Sequence, residues 1–323
     1  MRQEWVKYLC DPIDKTSLKI DNVIAKKGRD ILFGTLKSKS GNVYAIKEGV
    51  PILLNHRTQS TETVDSFAHE WKGFDFDYGK NGWVKDIVRP VLGGTKYFKN
   101  KIIIDCGSGS GRQSQWMAEA GAKFIFCIEL SDAARTIVKK VTNRIRNKVF
   151  VIQADIAHIP INTKNVKVDL VYCINVIQHT KNPKSTMVEL SRMMGKNTDL
   201  LFNIYLQKGR KYLLSVLNCL RKITRYVHYS LLKYFCFVVA VVVYPVSLLP
   251  FSTKHLSRFV PVSHGFKETW LDIYDLLGSH EYQKFYTEKE LCAILNKAKL
   301  KMVKRTRYAF LLKKKIYNDH EGY

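Results

Sequence analysis

Acidic residues are scarce in this 323-residue chain, where 28 Asp and Glu stand against 53 Lys and Arg for a formal net charge of +25. Such an excess attracts phosphates, whether in nucleic acid or on an anionic membrane surface, although a merely soluble basic surface gives the same count. Paired cysteines are missing as well. The seven cysteines, Cys10, Cys106, Cys127, Cys173, Cys219, Cys236 and Cys292, are odd in number and scattered, with no Cys-x-x-Cys among them. That argues against both a disulfide framework and a zinc cluster, and a reducing cytoplasmic compartment is expected. Cys106, Cys127 and Cys173 fall at the ends of apolar runs, where a thiol behaves as a small buried hydrophobe. The opening Met1-Arg-Gln-Glu-Trp-Val-Lys7 lacks the apolar stretch of a signal peptide, so export is not expected.

What is present suffices for one full α/β core and a small appendage, since 46% of the residues are hydrophobic. Three parts are expected: residues 1–57, a connector or lid at 58–100, and a main domain at 101–323 with an apolar insertion at about 208–265. In the first part, short β-prone runs (Leu18 to Ile20, Asp30 to Leu36, Val43 to Ile46, Val50 to Leu54) alternate with turn signals such as Ser40-Gly41-Asn42. The connector carries Phe67-Ala-His-Glu-Trp71 and Phe74 to Tyr78, aromatics expected to pack over the main domain's entrance. From Lys101 onward, apolar runs (Ile102 to Asp105, Phe124 to Ile128, Val149 to Gln153, Asp169 to Ile174, Asp199 to Tyr205) are separated by helical stretches. Alternation of that kind implies a mostly parallel sheet covered on both faces.

The chemistry is concentrated at the ends of those runs. Lys101-Ile-Ile-Ile-Asp-Cys-Gly-Ser-Gly-Ser-Gly-Arg112 reads as a buried strand ending in Asp105, a turn with glycine at alternate positions, and a helix beginning near Gln113. Gly107, Gly109 and Gly111 let the backbone turn sharply and approach a ligand, while the helix start offers free N–H groups. A dinucleotide fingerprint would place glycine where Arg112 stands, and the Gly-Lys-Ser/Thr ending of a phosphate loop is absent. Alone, the turn is equally a structural strand-to-helix corner. Glu129 ends the next apolar run, where a carboxylate can accept both hydroxyls of a ribose, and Asp155 follows the one after. Taken singly, Glu129 reads equally as a surface carboxylate and Asp155 as a turn cap. Three acids at successive strand ends are harder to dismiss.

The order Asp105-Cys-Gly-Ser-Gly-Ser-Gly111, Ile128-Glu-Leu-Ser131, Ala154-Asp-Ile156 and Val168-Asp-Leu-Val-Tyr-Cys-Ile-Asn-Val-Ile-Gln-His-Thr180 resembles the motif series of class I S-adenosylmethionine-dependent methyltransferases. The resemblance runs from about Phe67 to the C-terminus. It implies a Rossmann-like, seven-stranded, mostly parallel sheet with an antiparallel C-terminal strand, and S-adenosylmethionine as cofactor. Asp105 with the turn Gly107, Ser108, Gly109, Gly111 and Arg112 would face the methionine part of the cofactor, and Glu129 with Leu130 the ribose. Asp155 would take the adenine amino group, Ile156 would pack on the ring, and Asn175 would support the sulfonium side. In the first part, Leu9-Cys10-Asp11-Pro12 and Gly41 to Leu54 resemble the zinc-ribbon-like module that accompanies some methyltransferases. Only Cys10 of its two cysteine pairs is present, so no metal is expected, because one thiolate cannot supply a tetrahedral site.

Methyl transfer is an in-line displacement, for which the protein chiefly aligns nucleophile and methyl group. His179, just past Asn175, is the candidate base where the nucleophile carries a proton; the alternative is that it packs against or caps the helix starting near Pro183. The run Asn175-Val-Ile-Gln178 departs from the Asn/Asp-Pro-Pro-aromatic pattern of base-amine methyltransferases, which disfavours that acceptor. Tyr234 to Phe251 holds no charge, and Lys208, Arg210, Lys211, Arg221, Lys222, Arg225, Lys254 and Arg258 flank it. Two readings follow, interfacial insertion beside anionic lipid or a buried helical cover over the substrate pocket. A span is disfavoured because Lys301 to Thr306 and Tyr308 to Lys313 read as the strands that complete the sheet. The expected acceptor is a small-molecule, lipid-linked or glycan-type compound, with peripheral membrane association in view. RNA methylation and a non-catalytic binding partner that keeps the fold are the alternatives.

Overall fold

The computed structural model describes residues 1–55, 64, 79–207, 219–224, 226–249, 265–277 and 284–315. The aromatic runs at 67–71 and 74–78 lie outside these residues.

Five strands form the parallel centre: β5 (Ile102–Cys106), β6 (Phe124–Glu129), β7 (Val149–Ala154), β8 (Leu170–Cys173) and β9 (Asp199–Phe202). They read as continuous Ile, Val, Phe and Leu because both faces are covered; every residue of β7 and β8 is buried. The four strands before them are β1 (Leu18–Lys27), β2 (Asp30–Ser38), β3 (Val43–Lys47) and β4 (Val50–Leu53), and the two after are β10 (Leu300–Arg305) and β11 (Phe310–Lys314). One eleven-stranded sheet results, in the order β1-β2-β3-β4-β7-β6-β5-β8-β9-β11-β10. From β7 to β10 it is the expected seven-stranded Rossmann-like sheet, with β11 antiparallel to both of its neighbours.

The N-terminal strands do not stand apart from that sheet. β4 pairs in parallel with β7, Ile52 opposite Gln153 and Leu53 opposite Ala154, so the antiparallel β1–β4 meander extends it. Trp5 packs on the same face, its ring centroid 5.4 Å from that of Phe124 and 4.8 Å from that of Phe150. Cys10 is buried, and burial pushes its thiol up to about 11, a protonated state at neutral pH.

Helices cover both faces. The layer holding Trp5 also carries α3 (Pro183–Arg192) and α6 (Glu288–Lys297), and the other carries α1 (Arg112–Glu119), α2 (Ala134–Lys140) and a helical stretch at 80–92. Their starts are written locally. Asn182 accepts from Ser185 N at 3.2 Å ahead of Pro183, and Thr287 forms a reciprocal capping box with Glu290. The described part of the connector joins the core: Trp83 stacks on Phe98 with centroids 5.6 Å apart. Its indole N–H donates to the Tyr172 hydroxyl at 2.8 Å, which donates in turn to Gln113 at 2.9 Å. Tyr172→Phe strands that buried N–H and is expected to cost about 1–3 kcal/mol, seen as a lower urea midpoint at unchanged slope.

Between β9 and β10 lies the insertion, whose described helices are α4 (Tyr229–Ser247) and α5 (Phe266–Leu277), packed on each other around Leu232, Cys236, Ile273 and Tyr274. Both its ends return to one rim. Leu206 bridges Tyr286 in parallel, and the Tyr286 N–H donates to the Tyr205 carbonyl at 2.7 Å. A single membrane crossing between those residues is therefore topologically excluded.

Candidate cofactor and acceptor site

Asp105, Glu129 and Asp155 sit at or just past the C-terminal ends of β5, β6 and β7, three neighbouring strands. Register places Asp105 opposite Cys127 and Glu129 opposite Gln153, so the rim advances by about two residues per strand. Between strand ends and helix starts, such a rim is where open α/β sheets bind ligands.

The glycine turn is held by the neighbouring strand. Gly107 and Ser108 N–H groups both donate to the Ile128 carbonyl, at 2.8 and 3.0 Å. Glu129 then clamps the next residue: one carboxylate oxygen accepts from Gly109 N at 2.8 Å, the other from Ser131 N at 2.9 Å and Ser131 Oγ at 2.7 Å. A carboxylate offers about four acceptor positions, so roughly one is left for a ligand. Burial pushes the Glu129 carboxyl up, and the hydrogen bonds from Ser131 and Gly109 oppose it. Gly107, Gly109 and Gly111 all have positive φ. At two of them the lack of a side chain also matters for packing. A Cβ on Gly107 would stand 2.5 Å from Val176 Cγ2, and one on Gly111 2.4 Å from Ile137 Cγ2.

Asp105 is almost wholly buried and accepts a short hydrogen bond from Ser114 of α1. Burial drives its carboxyl up to about 7; the Ser114 hydroxyl draws it down, and the nearby Glu129 charge pushes it further up. Asp155 is half-buried, and one of its oxygens caps the turn of Ile156–His158 by accepting from Ala157 N at 2.8 Å. Ile156, the next residue, is buried. Leu130 gives its carbonyl to Gln153 at 3.2 Å.

Asn175 forms the opposite lip. It adopts φ of +61°, a conformation Asn tolerates, and forms a reciprocal pair with Asn203: its backbone N–H donates to Oδ1, and Asn203 Nδ2 donates to its side-chain oxygen, both at 2.6 Å. That pairing ends β9 at Phe202 rather than at Tyr205, and seats Val176 over Gly107. His179 is half-buried in the following turn, its N–H donating to the Val176 carbonyl at 2.9 Å and its ring edge-on to Tyr205 at 5.9 Å. The helix it was a candidate to cap is capped by Asn182 instead.

Beside His179 is a polar group with no local sequence signature. The Tyr205 hydroxyl donates to Asp275 of α5 at 3.3 Å, and Arg221 gives Nε to the Leu276 carbonyl at 2.9 Å. Among the described residues Arg221 Nη2 and the Gln178 amide are buried without a well-formed hydrogen bond, the Gln178 side chain lying close to the Tyr205 hydroxyl. Burial pulls the Arg221 guanidinium down, with Asp275 opposing that pull, and pushes the Tyr205 phenol well up. Gln178 from the turn after β8, Tyr205 after β9, and Arg221 and Asp275 from the insertion thus converge on one place. A cavity of about 610 Å³ opens further along the rim, between Gly79 to Lys85 and Gly265 to Glu268. The guanidinium of Arg112, the first residue of α1, reaches Gly79 at its edge, but the glycine turn, Asp105, Glu129 and Asp155 do not line this cavity. Among the described residues no three His, Cys, Asp or Glu side chains group as metal ligands.

Residues 104–202 match the family model described as methyltransferase domain. These residues are a methyltransferase domain. Around this methyltransferase domain the chain is 31% identical over 127 residues to protein arginine N-methyltransferase 1 of Oryza sativa subsp. indica, covering 36% of this chain and 30% of that protein. To the histone-arginine methyltransferase CARMER of Drosophila virilis it is 29% identical over 160 residues, covering 46% and 28%. The chain thus spans under a third of the length of these relatives. Among solved structures it is similar to magnesium protoporphyrin IX methyltransferase from Synechocystis PCC 6803, at a TM-score of 0.42 and 11% identity, covering 80% of this chain and 100% of that one.

Proposed function

We propose that this chain transfers the methyl group of S-adenosylmethionine to a small-molecule, lipid-linked or glycan-type acceptor. The observation that carries the reading is the pair of buried acids, Asp105 and Glu129, at adjacent strand ends around a glycine turn that leaves no room for side chains. The donor set fits this cofactor. An acid raised by burial and lacking a cationic partner suits an ammonium and sulfonium ligand, whose arrival restores the charged state. The last acceptor position of Glu129 and the second oxygen of Asp155 suit a hydroxyl and an exocyclic amine.

Bound there, the cofactor supplies an activated methyl group. The chain's residues hold and orient: Asp105 offers charge, the turn of Gly107, Ser108, Gly109, Gly111 and Arg112 offers backbone approach, and Glu129 with Leu130 bounds the ribose side. Asp155 and Ile156 bound the adenine side, and Asn175 closes the lip. His179, between that lip and Tyr205, is the proposed base for an acceptor that carries a proton. His179→Ala is expected to leave cofactor affinity intact and slow turnover by about tenfold or more; unchanged turnover removes the role.

The acceptor class is supported by the insertion, whose α5 brings Asp275 to Tyr205 near His179 and carries the long apolar helix α4 on its other side. The protein-acceptor names of the relatives attach to proteins that share under half of this chain and under a third of their own length with it. Purified protein and methyl-labelled cofactor, incubated with cell extract, should label the lipid and small-molecule fraction. Label confined to RNA or to protein would refute the acceptor class while leaving methyl transfer in place.

A further inference from the structure

The helix α4 exposes more apolar surface than a soluble protein ordinarily leaves in water. Its 19 residues reach a mean hydropathy of 1.8, yet only 22% of that stretch is buried. One side, spaced by four, packs on α5 through Leu232, Cys236 and Ala240. Leu231, Tyr234, Phe235, Val238, Val241 and Val242 recur at three- and four-residue intervals around the rest, with Leu231, Tyr234 and Val242 exposed by 63, 67 and 64%. More than half of the helix circumference is therefore greasy and uncovered, a condition met by lipid or by a partner.

Charge chooses between them. From residue 200 to residue 267 the sequence holds no Asp or Glu and ten Lys or Arg. Lys222, seven residues before α4, is exposed; Lys208, Arg210, Lys211, Arg225, Lys254 and Arg258 lie outside the described residues, and their charge is read from sequence. A second copy would bring an equally cationic segment, on a chain of net charge +25, against this one. An anionic bilayer brings the opposite sign, about 1 kcal/mol for each cation near its surface.

We infer that the chain docks on anionic membranes through the exposed face of α4, which lies in the plane of one leaflet and does not span it. In-plane placement rests on two facts: the chain returns to one rim, where Leu206 bridges Tyr286, and α5, with 12 residues including Asp272 and Asp275, is too short and too charged to make a return crossing. The consequence for function rests on the methyl-transfer reading. α5 separates α4 from the rim by one helix spacing, about 8–10 Å, and its Asp275 reaches Tyr205 there, so an acceptor anchored in the leaflet would meet the polar group near His179.

Flotation of the full chain with vesicles tests the docking without requiring activity. Binding is expected to phosphatidylcholine vesicles containing phosphatidylglycerol, and weakly or not at all to phosphatidylcholine alone; high salt should weaken it about tenfold or more. The double substitution Val238→Asn with Val242→Asn, at exposed positions, should weaken it by about tenfold as well, while calorimetric cofactor binding stays unchanged. No binding to anionic vesicles, or equal binding by the double variant, would overturn the inference. So would a lipid-free dimer that the double variant dissolves, or retention in the membrane pellet through alkaline carbonate, which indicates a span. Loss of cofactor binding by the parent chain would instead refute the methyl-transfer reading and leave the docking standing.

Discussion

Asp105→Asn is expected to weaken S-adenosylmethionine binding roughly 10- to 100-fold at pH 8, the loss of a buried charge facing a cation. The larger signature is in the pH dependence. In the free protein, burial raises the Asp105 carboxyl to about 7, and a bound cation favours its charged form. Affinity of the parent chain should therefore climb between pH 6 and pH 8, with proton release near pH 7 visible as a calorimetric heat that depends on buffer. The Asn variant should show neither. Stability runs the other way. A carboxyl whose folded pKa is raised contributes stability that is present below about pH 4 and is lost as pH rises through about 7, so the cofactor-free protein should weaken across that window. The substitution should flatten that slope, as denaturant midpoints taken at several pH values would show.

Gly107→Ala should be severely damaging for a change of one methyl group. Gly107 has φ of +77°, which costs an L residue about 1–2 kcal/mol, and the new methyl would stand 2.5 Å from Val176 Cγ2. Relieving that contact moves Val176, and with it the Asn175–Asn203 pair that forms the lip, adding about 1–3 kcal/mol of overpacking. The sum, about 2–5 kcal/mol, should lower the melting temperature by several degrees and abolish measurable cofactor binding. Gly93→Ala is the control. Its φ is +82°, but nothing lies within 4 Å of an added Cβ, so only the backbone strain should appear and cofactor binding should persist.

Much of this architecture is legible in the residues themselves. The parallel strands announce themselves as continuous apolar runs because both faces are buried, and each ends at a polar residue where the chain leaves the sheet. Asp105 and the alternate glycines mark the first of those exits, and Asn182-Pro183 and Thr287 mark helix starts through chemistry that acts within three residues. What is hidden is what depends on distant partners. Alternating runs before residue 55 read as a separate module, yet β4 joins β7, about a hundred residues on, because pairing leaves no trace in either strand alone. Glu129 reads as a ribose acceptor, and only the coordinates show that Gly109 and Ser131 already take most of its acceptor positions. Gln178, Tyr205, Arg221 and Asp275 come from separate segments, so no spacing rule could have grouped them. The insertion helix is longer than its uncharged core because His228 caps it at Tyr229 and Lys233 fits within it.

The account stands most directly on hydrogen exchange of the full chain with and without S-adenosylhomocysteine. Added ligand should slow exchange in the segments 105–112, 129–131, 155–157 and 174–177 together, because all four lie at the C-terminal ends of the neighbouring strands β7, β6, β5 and β8. Protection confined elsewhere, or absent at saturating ligand, would contradict it.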